Sequence, residues 1–181
     1  LPFAAASPSM VSPPHPIEPV TRPVTGSIRP PGSKSLSNRA LVLAAMARGE
    51  SRLSGVLESI DTRVMLDGLS NLGFEISEEP TDGQVRVVGG GGTVPATSAE
   101  LDLRNSGTSI RFLTALVALG TGHFTLDGNS RMRQRPIGDL VEALAQLQVD
   151  VTCPAGTGCP PVSVASDGLS GGRATLAGDT S

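Results

Sequence analysis

The chain repeats itself at an interval of about 75 residues, and a repeat that long must be a supersecondary unit with helices and strands of its own. In 61–72 the apolar residues Met65, Leu66, Leu69 and Leu72 fall at helical spacing, and the strand-like Phe74, Glu75 and Ile76 follow. In 136–147, Leu140, Val141, Leu144 and Leu147 do the same, followed by Val149, Asp150 and Val151; Leu72 and Leu147 are 75 residues apart. Upstream, a helix over 34–47 is echoed by one over 107–119, and a strand over 51–56 by one over 123–128. Downstream, the alternation at 85–87 is echoed at 162–164. Each unit therefore reads helix, strand, helix, strand, strand, an α/β arrangement. A strand over 20–29 leads into the first unit, and a strand over 173–178 opens a third. A third unit cut before its helix leaves apolar surface uncovered, so the chain is expected to belong to a longer polypeptide or to be completed by a second chain.

The repeat places the chemistry. Gly32, Ser33, Lys34, Ser35, Leu36, Ser37, Asn38, Arg39 and Ala40 follow Pro30 and Pro31 and run into an apolar stretch, so they form a turn that opens a helix. A helix start attracts anions because its first N–H groups lack intrahelical partners and the macrodipole adds positive charge. Lys34 and Arg39 add full charges, and Ser33, Ser35 and Ser37 add hydroxyls; a plain Ser-capped helix with solvated cations would look similar. A nucleotide P-loop is excluded because Ser33 separates Gly32 from Lys34, whereas that motif needs the Gly-Lys-Ser/Thr contiguous. The second unit brings Asn105, Ser106, Gly107, Thr108, Ser109 and Arg111 to its own helix start, and Gly178, Asp179, Thr180 and Ser181 stand at the third. Equivalent units around one pseudo-axis point these helix starts at one face and make it anion-attracting. Glycine turns kept for connection geometry would explain the glycines, but not Lys34, Arg39 and Arg111. A further basic run holds Arg131, Arg133 and Arg135; Pro136 suits the first position of the next helix, which puts Arg135 at its mouth. Taken alone, that run reads more readily as solvated surface.

Composition narrows the partners. With four Phe and neither Trp nor Tyr, the core is aliphatic and aromatic stacking on bases is not available. A net charge of −3 argues against nucleic acid or an anionic membrane as partner, and no apolar run reaches the ~18 residues that a membrane helix needs. The basic residues cluster between Arg22 and Arg135, which suits small anions. Cys153 and Cys159 could form a disulfide, but two cysteines in a chain of this size fit reduced thiols in the cytoplasm better, and the distant His15 and His123 do not build a metal site. Residues 1–9 lack the arginines of a transit peptide and read as an appended tract ahead of a Pro-rich segment, so 1–24 are set aside as leader.

Together these motifs resemble those of the 5-enolpyruvylshikimate-3-phosphate synthases. Gly32 to Ala40 is similar to that family's first signature; Leu103 to Arg111 resembles its Leu-Gly-Asn-Ala-Gly-Thr-Ala-Met-Arg; Arg131 to Gly138 resembles its Arg-Met-Arg/Lys-Glu-Arg-Pro-Ile-Gly; the loop at 158–162 also looks familial. The match spans 25–181 and only the first part of a two-domain family. It implies repeated βαβαββ units of the enolpyruvyl transferase inside-out barrel, here two complete units (about 25–92 and 99–170) and the start of a third (171–181). It also implies two ligands, shikimate 3-phosphate and phosphoenolpyruvate, and no metal or organic cofactor. On this implication Lys34 contacts phosphoenolpyruvate, Ser35 and Arg39 hold shikimate 3-phosphate, and Gly107 lies beside the phosphoenolpyruvate site with Asn105 and Thr108. Arg135 grips phosphoenolpyruvate, and Ser181 is the first serine of a Ser-Ser-Gln that receives the shikimate phosphate. The family's general acid and base, an Asp and a Glu, belong to the later part, so this chain is expected to bind weakly and not to turn over without a complementary C-terminal part.

Two residues depart from the family pattern. Phe112 stands where Pro is usual, and Arg104 replaces a usual Gly. Members resistant to glyphosate, an inhibitor of the phosphoenolpyruvate site, can carry Ala at the Gly107 position; Gly here removes that block, while Phe112 leaves the response open. Two other readings stand beside this one: a UDP-N-acetylglucosamine enolpyruvyl transferase relative, which would lack the Ser-x-Ser-Asn-Arg run, and a non-catalytic module that binds phosphate ligands.

Overall fold

The computed structural model describes residues 16–79 and 84–176 and divides the chain into two units, 1–30 and 31–181. The described part of the first unit has no strand: the stretch expected to pair over 20–29 is irregular, with Val20, Val24 and Ile28 exposed. Pro19, Pro23 and Pro30 remove the backbone donors that a ladder through this segment would need.

The second unit runs α1 (Lys34–Met46), β1 (Arg48–Leu53), α2 (Ile60–Asn71), β2 (Glu75–Glu79), β3 (Gln84–Gly90), β4 (Ser98–Asp102), α3 (Gly107–Val117), β5 (Thr121–Asp127), a 3₁₀ turn (Met132–Gln134), α4 (Gly138–Gln146), β6 (Asp150–Thr152) and β7 (Val162–Asp167). The strands form two sheets, ordered β1-β3-β2 and β4-β5-β7-β6. The repeat is visible in the pairing. Antiparallel β1 and β3 align from Arg48 opposite Gly90 to Leu53 opposite Val85, and β5 and β7 align from Thr121 opposite Asp167 to Leu126 opposite Val162. The second sheet carries one strand more, β4, parallel to β5.

Several expected boundaries move. The first strand lies at Arg48–Leu53 rather than 51–56, because it starts within two residues of the helix end and stops before Gly55, whose φ of +71° turns the chain. β4, with the weakly alternating sequence Ser-Ala-Glu-Leu-Asp, carries little strand signal of its own. The strand expected over 173–178 is absent from its described part. There the side-chain amide of Gln146 takes the place of a neighbouring strand, accepting from Thr175 N at 2.8 Å and donating to Thr175 O at 3.1 Å; residues 177 and 178 lie outside the described residues.

An aliphatic core joins the helices to the sheets. Leu41 and Ala45 of α1, Val64, Met65 and Leu69 of α2 and Ile110, Leu113 and Val117 of α3 pack with Val87 of β3, Phe124 and Leu126 of β5 and Val162 and Val164 of β7. Gly68 lets α2 approach α3 closely: a Cβ there would stand 2.6 Å from Leu113 Cδ1. This contact joins helices of different repeats. Among the described residues no helix is long and apolar enough to cross a membrane.

Candidate functional site

The start of α1 is wired to the start of α2. Ser33, in an extended conformation, caps α1 by accepting from Leu36 N at 3.4 Å, and the helix has no acidic residue in its first turn. One turn on, Ser37 Oγ accepts from Leu57 N at 2.9 Å. Leu57 O in turn accepts from the Thr62 hydroxyl at 2.6 Å, and Thr62 forms a capping box with Ser59 at the head of α2. Asp61, in the first turn of α2, accepts from Lys34 Nζ at 2.8 Å. Burial would push the Asp61 carboxyl up, but hydrogen bonds from Lys34 and Ser106 and the charges of Lys34 and Arg135 outweigh it and hold the group below its ordinary value. A carboxyl depressed by folding adds stability above its unfolded value and loses it as pH falls through the folded value. Urea midpoints followed downward from pH 6 should therefore fall less steeply below the ordinary carboxylate range in Asp61→Asn than in the parent; superimposable profiles would refute the coupling.

The start of α3 is built in the same way. Ser106 caps it by accepting from Ser109 N at 3.4 Å, and the two hydroxyls lie 2.8 Å apart. Ser109 Oγ also reaches Asp61 O at 3.4 Å, so the second and third helix starts touch. Arg104 has a φ of +50°, in the left-handed region, which accounts for a glycine as the usual residue at this position. Its backbone is held on both sides, Arg104 N donating to Asp102 Oδ1 at 2.9 Å and Arg104 O accepting from Asn129 N at 2.8 Å. Phe112 extends α3 without interruption and packs partly buried against the core.

The basic run divides into three roles. Asn129 Oδ1 accepts from the N–H groups of Arg131 and Met132 at 3.1 and 3.0 Å, and Met132 is fully buried. Arg133 grips Asp127 through both carboxylate oxygens, and that contact first of all holds the Asp127 carboxyl below its ordinary value. Arg131 is exposed. Arg135 alone turns into the site, where its Nη1 would stand 2.6 Å from a Cβ added to Gly107. Pro136 is not the first residue of the helix as expected: α4 starts at Gly138 with Ile137 as its cap residue, because Ile137 N donates to Gly158 O and holds 136–137 in an irregular link. Cys153 and Cys159 are free thiols, and burial pushes Cys153 up.

Lys34, Ser35, Arg39, Asn105, Gly107, Thr108 and Arg135 line a single concavity of 590 Å³, together with Asp61, Arg111 and Phe112. Seven of the eight residues proposed from sequence are thus brought together; Ser181 lies outside the described residues. Four cations face one carboxylate at the starts of three helices, so the concavity suits ligands carrying several negative charges. Asn105 Oδ1 is buried and has no hydrogen-bond partner among the described residues.

A family profile described as EPSP synthase (3-phosphoshikimate 1-carboxyvinyltransferase) matches residues 19–181. The chain belongs to the EPSP synthase family. The 3-phosphoshikimate 1-carboxyvinyltransferase of Pseudomonas savastanoi pv. phaseolicola is 48% identical over 164 residues, which cover 90% of this chain and 38% of that protein. The enzyme of that name from Rhizobium leguminosarum is 51% identical over 152 residues (84% and 35%), and the chloroplastic one from Brassica napus 47% over 168 (88% and 33%). Among solved structures, EPSP synthase from Acinetobacter baumannii superposes with a TM-score of 0.72 at 28% identity, covering 82% of this chain and 34% of that one. The chain thus spans about a third to two fifths of the length of these EPSP synthases, which fits an N-terminal portion.

Of the charged residues that line the concavity, Asp61 was not singled out by sequence reasoning. Asp61 gave no signal beyond that of an ordinary acidic residue in a helix first turn, which complements the macrodipole anywhere. Arg111 belongs to the second signature, but spacing could not tell whether it faced a ligand or the protein.

Proposed function

We propose that this chain supplies the N-terminal half-site of a 3-phosphoshikimate 1-carboxyvinyltransferase, which moves the enolpyruvyl group of phosphoenolpyruvate to the 5-hydroxyl of shikimate 3-phosphate and releases phosphate. The observation that carries this reading is the convergence of Lys34, Arg39 and Arg135 with the Gly107 turn around one concavity. The 5-hydroxyl gives up its proton to a base as its oxygen adds to C2 of phosphoenolpyruvate, while C3 takes a proton; the tetrahedral intermediate then loses phosphate and a C3 proton to restore the double bond. Both substrates are polyanions, so fixed cations must hold them against their repulsion. Lys34 and Arg135 take phosphoenolpyruvate. Ser35 and Arg39, on the same helix start, take shikimate 3-phosphate, and Ser181 is assigned to its phosphate. Gly107 leaves the Arg135 guanidinium room to lie against the backbone, and Asn105 and Thr108 complete the wall. The acid and base of the proton transfers at C3 and at the hydroxyl are assigned to the remaining part of the enzyme, as one continuous chain or a second one. Glyphosate would compete at the phosphoenolpyruvate subsite, and the bacterial relatives support a cytoplasmic location.

The test is phosphate release from phosphoenolpyruvate plus shikimate 3-phosphate, measured with this chain alone and after mixing with the remaining two thirds of the Pseudomonas relative. Activity on mixing only is the expected result. Release by this chain alone would overturn the assignment of acid and base to the remainder, and silence in both cases would favour a non-catalytic module that binds phosphate ligands.

A further inference from the structure

Arg135 projects from a link that belongs to neither the 3₁₀ turn before it nor the helix after it, so something outside regular structure must fix its aim. Arg111 supplies the contact. From the second turn of α3 its Nη1 donates to Gly107 O at 2.9 Å and its Nη2 to Pro136 O at 2.6 Å. The other side of the same 136–137 peptide is also held, since Ile137 N donates to Gly158 O at 2.8 Å. That peptide plane is therefore clamped at both its oxygen and its nitrogen. Pro136 has its φ locked by the ring, so only its ψ is left free between the clamped peptide and the residue before it. On the near side Arg135 N donates to Met132 O at 2.9 Å, and Met132 is anchored in the core.

We propose that Arg111 is a positioning residue, a two-pronged strap between α3 and Pro136 that sets where the Arg135 guanidinium lies over Gly107 and thereby tunes the grip on phosphoenolpyruvate. The inference rests on the proposed function for its substrate. It does not rest on it for the strap, which is a statement about the conformation of this chain. Arg111 does more here than add one charge. Both of its terminal nitrogens are turned onto backbone carbonyls, a task that needs the rigid planar fork of a guanidinium and that a lysine ammonium, a single point on a flexible stem, cannot perform at both ends. It also explains how two arginines can lie beside one glycine: Nη1 of Arg111 would stand 3.4 Å from a Gly107 Cβ, and Nη1 of Arg135 2.6 Å. The carbonyl partners offset the repulsion between the two cations.

Arg111→Lys keeps the charge and loses the fork, and Arg111 is exposed, so the variant should fold. In the completed enzyme it should raise KM for phosphoenolpyruvate about tenfold while kcat and KM for shikimate 3-phosphate stay within about threefold, because only one substrate's holder is displaced. In an Arg135→Lys background the same change should add almost nothing, since the group being positioned is already altered. In the 181-residue chain itself, amide exchange at Ile137 should quicken about tenfold in Arg111→Lys, with exchange in β5 unchanged. An unaltered KM for phosphoenolpyruvate, equal losses for both substrates, or full additivity with Arg135→Lys would overturn the proposal. If the completed parent enzyme does not turn over, the proposed function fails; exchange at Ile137 then still decides the strap, and unchanged exchange refutes it.

Discussion

Replacing Lys34 by Met should lower kcat/KM of the completed enzyme about a thousandfold, the scale on which removing one preorganised charge acts in a closed site. The fold should barely notice. The Lys34 side chain is 53% exposed and its ion pair with Asp61 is of the kind worth at most about 1 kcal/mol, so the urea midpoint should stay close to that of the parent. The loss follows from what remains. Without Lys34, Asp61 keeps its negative charge at the starts of α1 and α3 and repels the substrates that the lysine would hold. In the free chain Asp61 keeps the Lys34 ammonium at the mouth of α1, 2.8 Å away, so the cation is placed before any ligand arrives. Steady-state kinetics with both substrates varied are the check, and a loss smaller than tenfold would remove Lys34 from the reaction.

Gly32→Ala should damage the same site through the backbone. A Cβ at Gly32 would stand 2.3 Å from Gly55 O and 3.0 Å from Leu57 N, and neither atom can swing away as a side-chain end could. Residues 55–57 would have to shift, yet Leu57 is bonded through its N–H to Ser37 of α1 and through its carbonyl to Thr62 of α2. The added methyl therefore pulls on the connection that sets the α1 start beside the α2 start, and with it the spacing of Lys34 and Asp61. Overpacking of this type costs about 1–3 kcal/mol, and denaturant unfolding should show a loss in that range. Activity in the completed enzyme should fall by more than that loss of stability explains. A variant as stable and as active as the parent would mean that the close approach at Gly32 has no role in assembling the site.

The helices were legible because their signals are local: Ser33 and Ser106 cap where the sequence says they should, and the apolar stripes of α1, α2 and α3 point inward. Strands at the ends of the chain were not, since a strand exists only with a partner. The segment over 20–29 alternates well enough, yet it is interrupted by proline and unpaired, and around Thr175 a glutamine side chain does the pairing instead. At the site, sequence named the residues that face the concavity but not those that hold them. Which arginine of the basic run turns inward depends on Asp127 engaging Arg133 and on Met132 filling the core, and neither is written in the spacing of the run. Arg104 looked like an unexplained departure until its φ showed why a glycine is usual there.

The two repeats are not the same length everywhere. From Leu53 to the cap residue Ser59 the first unit takes six steps, and from the matching Leu126 to the cap residue Ile137 the second takes eleven; α4 has nine residues to the twelve of α2, so three of those five steps come from its later start and two from added chain. Within this longer connection lie the 3₁₀ turn and Arg135. The two units thus form matched frames, and besides the added strand β4 they differ most in this one surface connection. Such a connection can gain or lose residues with little penalty to the frame that carries it, which makes it the part of the molecule on which selection could act most freely to change what is held at the mouth of α3.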